Sequence, residues 1–348
     1  MYHAHLNIPV VEGCRLRQAG AGYNVARAGR PGATAGLQRA TLAPRTFWFS
    51  FARGSVSVGS TPLKTRFIVN PRSGRALRAL PAVQAFAHER GADVVLTERS
   101  RHASELAARA LADGCTLIVA VGGDGTMNEV ASTLVHADAT LGLVPCGSGD
   151  GLGRHLRIHG AVSRALEIVA RGAPRAIDTG VVDGHPFFTV AGLGFEAEIS
   201  RRFNALQRRG FVRYLTTSAR ALRSWEPQDY TIVQGTARER VHAFTLAVAN
   251  SDQYGNDALI APNASVEDGL LDLTIVPPVT FWNAVPLIVR LFHGSVGAAA
   301  GALRKQGTQF VIERGAPGLI HTDGEVHEAG RVVEFSIRPG SLRVMCPV

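Results

Sequence analysis

Residues 118–130 read IVAVGGDGTMNEV: the apolar run Ile118 to Val121 leads straight into Gly122, Gly123, Asp124, Gly125 and Thr126, and Met127 to Val130 opens a helix. A wholly apolar run ending at glycines suits a strand buried on both faces, as in a parallel sheet covered by helices. The flanking segments agree. "TRFIVNPRSG", from Thr65, reads as a strand ending in a turn; 75–90 has helical periodicity and stops at Gly91. "ADVVLTE" is a second strand, 102–112 a helix stopped at Gly114, "TLIVAV" a third strand, then a helix to about His136, and "LGLVP" a fourth strand. This alternation predicts an α/β domain with a parallel sheet. After Asp178 the texture changes to short strands: "PFFTVAGLG", "DYTIVQG", "HAFTLAVAN", "LLDLTIV", "QFVIERG", "RVVEFSIR" and "LRVMCPV". They predict a second, mostly antiparallel, β-sandwich-like domain. The expected division is an extension over 1–62, a nucleotide-binding α/β domain over 63–178 and a β-rich domain over 179–348.

The 348 residues suffice for two cores. The most apolar long stretch, Phe281 to Leu303, carries Arg290 and His293 and is broken by glycines, so it reads as a core or interfacial helix rather than a membrane span. Cys14, Cys115, Cys146 and Cys346 lack metal-ligand spacing and suggest no disulfide framework, which fits a reducing cytoplasm. The net charge of +9 is concentrated at the start, where the first 60 residues hold seven arginines and one acid, Glu12. The remainder is nearly balanced, which argues against a general nucleic-acid binder. Residues 1–62 show no sustained period and are expected to be a disordered extension; a transit segment or electrostatic arm is the other reading.

In open parallel sheets, ligands sit at the carboxyl ends of the strands. Gly122, Gly123 and Gly125 follow such an end. Glycines permit close backbone approach and positive φ, and with the next helix N-terminus they form a phosphate cradle. A bare carboxylate there repels phosphate unless a cation intervenes, and Mg²⁺ favours one or two carboxylates plus phosphate oxygens. Asp124 therefore reads as a magnesium or hydroxyl-orienting group; the competing reading is a turn acid capping the helix. A second glycine loop, "PCGSGDGLGR" (Pro145 to Arg154), follows the adjacent strand and shares the crevice. Neither loop is a Walker motif, since the chain has only Lys64 and Lys305 and neither follows a suitable glycine run. "GLGFEA" (Gly192 to Ala197) matches GxGxxA, but Arg201 to Arg223 offers no acid for a ribose, so it reads as a chance match. Taken alone, Asp323-Gly324 and Asp268-Gly269 are turn signals.

Five segments occur in one order: "NPRSG" (Asn70 to Gly74), "GGDGTMNE" (Gly122 to Glu129), "PCGSGDGLGR", "DGLLD" (Asp268 to Asp272) and "DGE" (Asp323 to Glu325). Together they resemble the diacylglycerol kinase catalytic-domain superfamily, which includes YegS-like lipid kinases, sphingosine kinases and ceramide kinases, over about residues 65–348. The resemblance implies a first domain like that of NAD kinase and phosphofructokinase, with nucleotide in an interdomain cleft. It implies ATP-dependent phosphorylation of a lipid hydroxyl with Mg²⁺. By position it implies that Asn70, Pro71, Arg72, Ser73 and Gly74 line the nucleotide and Thr97 contacts it. Gly122, Gly123, Asp124, Gly125, Thr126, Met127 and Asn128 would hold phosphates, and Ser148 matches the Ser or Thr of the second loop. Glu325 matches the proton-accepting glutamate of bacterial members, and Asp124 the acid favoured as catalytic in sphingosine kinases. The bacterial metal loop falls on Asp268, with the carbonyls of Ser265 and Leu270.

Two departures leave the acceptor lipid, diacylglycerol or sphingoid, open. Gly149-Asp150-Gly151 stands where many members have Gly-Asn-Asp, and "QYGND" replaces a glycine-rich stretch before "APNA". His102 resembles a family residue near the nucleotide, but reads better as a capping or exposed histidine. Arg201 to Ser224 holds seven arginines and no acid, interleaved with apolar residues; it suits either a solvated basic face or contact with an anionic membrane. The expected location is cytoplasmic, with peripheral contact at the inner face of the membrane. Two alternatives remain. NAD kinase shares GGDGT but has a separate downstream Asn-Glu pair, whereas Asn128-Glu129 lies inside the motif. A non-catalytic nucleotide- or lipid-binding module is opposed by the presence of Asp124, Asp268 and Glu325.

Overall fold

The computed structural model describes residues 64–205, 211–279, 281–296 and 302–348, all within one compact unit, Gly59–Val348. The extension expected over 1–62 lies outside the described residues.

The first half follows the predicted alternation: β1 (Thr65–Val69), α1 (Ala76–Glu89), β2 (Asp93–Leu96), α2 (His102–Ala112), β3 (Leu117–Gly122), α3 (Asp124–Leu134) and β4 (Thr140–Pro145). These strands lie in the order β2-β1-β3-β4, each pair parallel. Every residue of β3 is buried, as its unbroken apolar run requires. Each helix turns one stripe inward: Ala76, Ala79, Val83 and Ala87 on α1, and Ala103, Leu106, Ala107 and Ala110 on α2. Small alanines let the helices sit close to the sheet. Next come α4 (Gly151–His155) and α5 (Val162–Arg171), the latter packed on α1.

The second half holds β5 (Ala173–Val182), β6 (His185–Phe187), β7 (Val190–Gly194), α6 (Phe195–Asn204), α7 (Phe211–Leu222), β8 (Gln228–Gln234), β9 (Ala237–Ala243), β10 (Thr245–Ala249), β11 (Gln253–Gly255), β12 (Ala258–Leu259) and β13 (Leu271–Val276). It closes with α8 (Phe281–Phe292), β14 (Leu303–Gly307), β15 (Gln309–Arg314), β16 (Gly318–Thr322), β17 (Glu325–Ala329) and β18 (Val332–Cys346). Six strands form an antiparallel sheet in the order β14-β13-β10-β7-β16-β17. Alternation along its strands splits two cores. Leu246 and Val248 of β10 pack in the sandwich with Phe187, Phe310 and Phe335, while Ala247 and Ala249 face a layer that includes Leu222, Trp225 and Leu287.

The two halves share a sheet. The segments "RVVEFSIR" and "LRVMCPV" form one strand, β18, with a register shift between Arg338 and Leu342. The Pro339-Gly340 pair reads as a turn but acts as a bulge, with Gly340 at φ 57°. Below it β18 pairs parallel with β4; above it, antiparallel with β15. The boundary expected at Asp178 falls inside β5, which pairs with β18 along both parts. Asp178, 3% exposed, accepts the amides of Gly269 and Gly340, both at 2.7 Å. Asp178→Ala leaves both donors without that acceptor and is expected to cost about 3 kcal/mol of unfolding free energy, measured by denaturant titration.

Candidate nucleotide and acceptor site

Three loops leave the carboxyl ends of the adjacent strands β1, β3 and β4 and interlock. Asn70 N donates to Val121 O (2.9 Å), Cys146 N to Gly122 O (2.7 Å) and Arg75 N to Cys146 O (2.8 Å). The Asn70 side chain donates to Thr126 Oγ1 and accepts from Arg72 N, binding the first loop to the start of α3. Thr97 N donates to Val69 O, so Thr97 stands beside Asn70. Gly74 has φ +48°, and a Cβ there would lie 2.0 Å from Cys146 O. The glycines of the motif permit positive φ, but none of Gly122, Gly123 and Gly125 adopts it. Room is what Gly122 and Gly123 provide: a Cβ on Gly122 would meet the Thr126 side chain at 2.6 Å, and one on Gly123 would meet Ser73 Oγ at 2.9 Å.

Asp124 is the first residue of α3, and its carboxylate reaches across to the second glycine loop. Oδ2 accepts from Asp150 N (3.0 Å) and Oδ1 from Gly151 N (2.9 Å). A Cβ on Gly149 would lie 2.6 Å from Oδ2. The acid among glycines thus ties two loops together and caps the start of α4. Burial raises its pKa; the two amides oppose the shift, and the negative charge of Asp323 adds to it. At the start of α3, Met127 N donates to Gly123 O (3.1 Å), and the amides of Gly125 and Thr126 come before that bond. Met127 itself turns into the core at 2% exposure, while Gly125 and Ser148 are exposed and Asn128 is half-buried.

Asp150 was not singled out as a site residue. It is 5% exposed, has φ 50° and accepts Gly147 N at 3.1 Å. Burial, then the charge of Asp124, pushes its pKa up to about 6. The "QYGND" departure is a hairpin, β11–β12, whose two turn residues Asn256 and Asp257 both have positive φ. It covers the second loop: Asn256 N donates to Gly149 O, and Arg154 joins Gly149 O to the Asp257 carboxylate. Gly255 permits this contact, since a Cβ there would stand 3.0 Å from the Gly149 backbone.

The β16–β17 hairpin faces this cluster. Its turn, Asp323-Gly324, has positive φ at both residues between the paired Thr322 and Glu325. The turn reading therefore holds, but the acid does more. Asp323 accepts the amides of Phe188, Thr189 and Val190 at 2.8–2.9 Å and the Thr189 hydroxyl. Glu325 is exposed at the start of β17.

The loop holding Ser265, Asp268 and Leu270 lies at the β5–β18 bend. Asp268 accepts Leu270 N (3.0 Å), Ser265 Oγ accepts Glu267 N (3.2 Å), and Gly269 N donates to Asp178. Among the described residues no group of three or more His, Cys, Asp or Glu side chains is arranged to hold a metal. One or two carboxylates with phosphate oxygens suffice for Mg²⁺, and Asp124, with its raised pKa beside Asp150 and Asp323, fits that demand for positive charge. His102, half-buried at the start of α2, accepts Glu98 N at Nδ1 (3.0 Å), which ties the preceding turn to the helix and does not cap the free amides of the helix. Glu129 accepts the amides of Arg101 and Ala103 at the start of α2.

Residues 64–182 match the family described as diacylglycerol kinase catalytic domain, and residues 189–346 match the YegS C-terminal NAD kinase beta sandwich-like domain. The "Probable lipid kinase YegS-like" of Pseudomonas savastanoi pv. phaseolicola is 31% identical over 260 residues, 73% of this chain and 84% of that protein. A diacylglycerol kinase of Mycobacterium tuberculosis is 29% identical over 300 residues, 82% of this chain and 95% of that protein. A diacylglycerol kinase crystal structure from Bacillus anthracis strain Sterne superposes with a TM-score of 0.63 at 17% identity, covering 82% of this chain and 97% of that one; at that identity it speaks for the fold alone.

A raised carboxylate pKa means that the native state holds the proton more tightly than the unfolded chain. The stability Asp150 contributes is present below 3.8 and is lost as pH rises to about 6. Asp150→Asn removes that loss and suits the left-handed backbone. It is expected to raise stability at neutral pH by up to about 3 kcal/mol. Denaturant unfolding should also show a shallower decline from acid to neutral pH than in the wild type.

Proposed function

The chain belongs to the diacylglycerol kinase catalytic-domain family with a YegS-type C-terminal domain, and from that premise we propose that it transfers the terminal phosphoryl group of ATP to a hydroxyl of a diacylglycerol- or sphingoid-type lipid. The observation that carries this reading is the Asp124 bridge. One carboxylate holds two glycine loops at the start of α3, within electrostatic reach of the turn that bears Glu325. Phosphoryl transfer asks little covalent chemistry of a protein; it asks for positioning, charge neutralisation and an aimed hydroxyl.

In this reading the polyphosphate lies over Gly122 to Thr126, where helix amides and the dipole of α3 favour negative charge. Asn70 to Gly74, Thr97, Asn128 and Ser148 border the nucleotide. Mg²⁺ would be held by Asp124 and would supply charge neutralisation. Glu325 accepts the proton of the lipid hydroxyl. The Ser265–Leu270 loop, if it takes a cation through Asp268, steadies the β5–β18 bend. Asp124→Asn is expected to keep the fold and lower turnover by at least about a hundredfold. The assay is labelled ATP with diacylglycerol, sphingosine and NAD as separate acceptors, the product identified by mass. Wild-type turnover in the folded variant contradicts the reading, and phosphorylation of NAD alone replaces it.

A lipid acceptor calls for access to a membrane surface. No helix of the described residues is long and apolar enough to cross one. Arg220 and Arg223, in and just after α7, are exposed. On α8, Val285, Ile288 and Val289 are 66%, 45% and 50% exposed on one face. No acid occurs between Glu198 and Glu226 or between Asp272 and Glu313. Cationic and apolar groups together suit peripheral contact with an anionic leaflet, reached from the cytoplasm. The protein is expected to sediment with phosphatidylglycerol-containing vesicles at low salt and to be partly released by high salt. Failure to bind at low salt removes this part of the proposal.

A further inference from the structure

The "GLGFEA" stretch leads into the first turn of α6, and its Glu196 sits in a polar chain beside the acceptor turn. Tyr254, on β11, donates its hydroxyl to Glu196 Oε1. Glu196 Oε2 lies 3.0 Å from Nε2 of His321, and His321 Nδ1 accepts the amide of Gly324 at 3.4 Å. His321 is 4% exposed. A Cβ at Gly192 would stand 2.6 Å from Glu196 Oε2 and 3.2 Å from His321 Nε2, so glycine at this position makes room for the pair.

The hydrogen bonds assign the ring. An ionised carboxylate only accepts, so Nε2 carries the proton. Nδ1 faces an N–H and therefore carries none. The partner of one ring nitrogen thus decides what the other can do. Here the other nitrogen holds Gly324, the second turn residue and the immediate neighbour of Glu325.

We propose that Glu196 and His321 are positioning residues for the Asp323–Glu325 turn. The carboxylate fixes the ring tautomer, and the ring holds the amide that sets where Glu325 begins. Asp323 anchors the same turn from its other side through the amides of 188–190. The chain of contacts starts on the nucleotide side, because Tyr254 belongs to the hairpin that covers Gly149. It therefore joins the cover of the second glycine loop to the turn that aims the acceptor. The inference rests on the reading of Glu325 as the group that orients the lipid hydroxyl.

The first test needs no turnover. In the full chain labelled with ¹⁵N-histidine, the His321 signals, identified by their loss in His321→Asn, should report a protonated Nε2 and a bare Nδ1. The opposite tautomer overturns the proposal. The second test separates positioning from folding. His321→Leu and Glu196→Met should lower kcat by about tenfold or more while KM for ATP stays within about twofold. His321→Asn, whose side-chain oxygen can accept near the Nδ1 position, should recover a large part of kcat. Wild-type kcat in folded His321→Leu, or no advantage of Asn over Leu, overturns it. If the wild type phosphorylates no lipid, the kinase reading fails, and the tautomer measurement still decides the geometry of the turn.

Discussion

The site depends on one carboxylate accepting two amides. Asp124 stands at the start of α3 and caps the start of α4, so the loops after β3 and β4 hold a fixed spacing. Hydrogen bonds from amides to an ionised carboxylate are stronger than those between neutral groups. They work against burial, which together with the charge of Asp323 raises the pKa of Asp124. The cluster is a place where positive charge is welcome. In the proposed reading, the cation that accompanies a nucleotide answers that need.

The same device appears in the β16–β17 hairpin. Asp323 saturates its carboxylate with the amides before β7, as Asp124 does with the amides before α4. Each acid anchors a loop to a neighbouring element. Glu325, the residue after the anchored turn, is exposed. If Glu325 takes a proton as proposed, a short, doubly held turn places it better than a free loop, since a small displacement costs much in rate.

The lobes are coupled by covalent continuity rather than by surface contact alone. β5 and β18 run through both and pair along both parts, with the bulge at Pro339-Gly340 taking up the change of direction. Asp178 fastens that bend to the loop at Gly269. The two halves are thereby joined through a shared sheet.

Much of this was legible in the residues. The buried run of β3, the stops at Gly91 and Gly114, and the two glycine loops at adjacent strand ends follow from local chemistry. Hydrophobic periodicity and turn residues act over a few positions, and that is the range over which sequence constrains backbone. Position in the superfamily pattern named Asp124 and Glu325. Other features were not legible. Pro339-Gly340 looked like a break between strands, because nothing local distinguishes a turn from a bulge held by distant partners. Met127 lay inside the phosphate motif, yet helical phase turns its side chain into the core. Glu196 belonged to a motif read as chance, and His321 to a stretch that carries no motif; only folding brings them within 3.0 Å. The sequence by itself determined the alternating elements and the inventory of acids. Tertiary structure decided which amide each acid holds, because a hydrogen bond depends on distance and angle between groups that the chain separates by up to 162 residues.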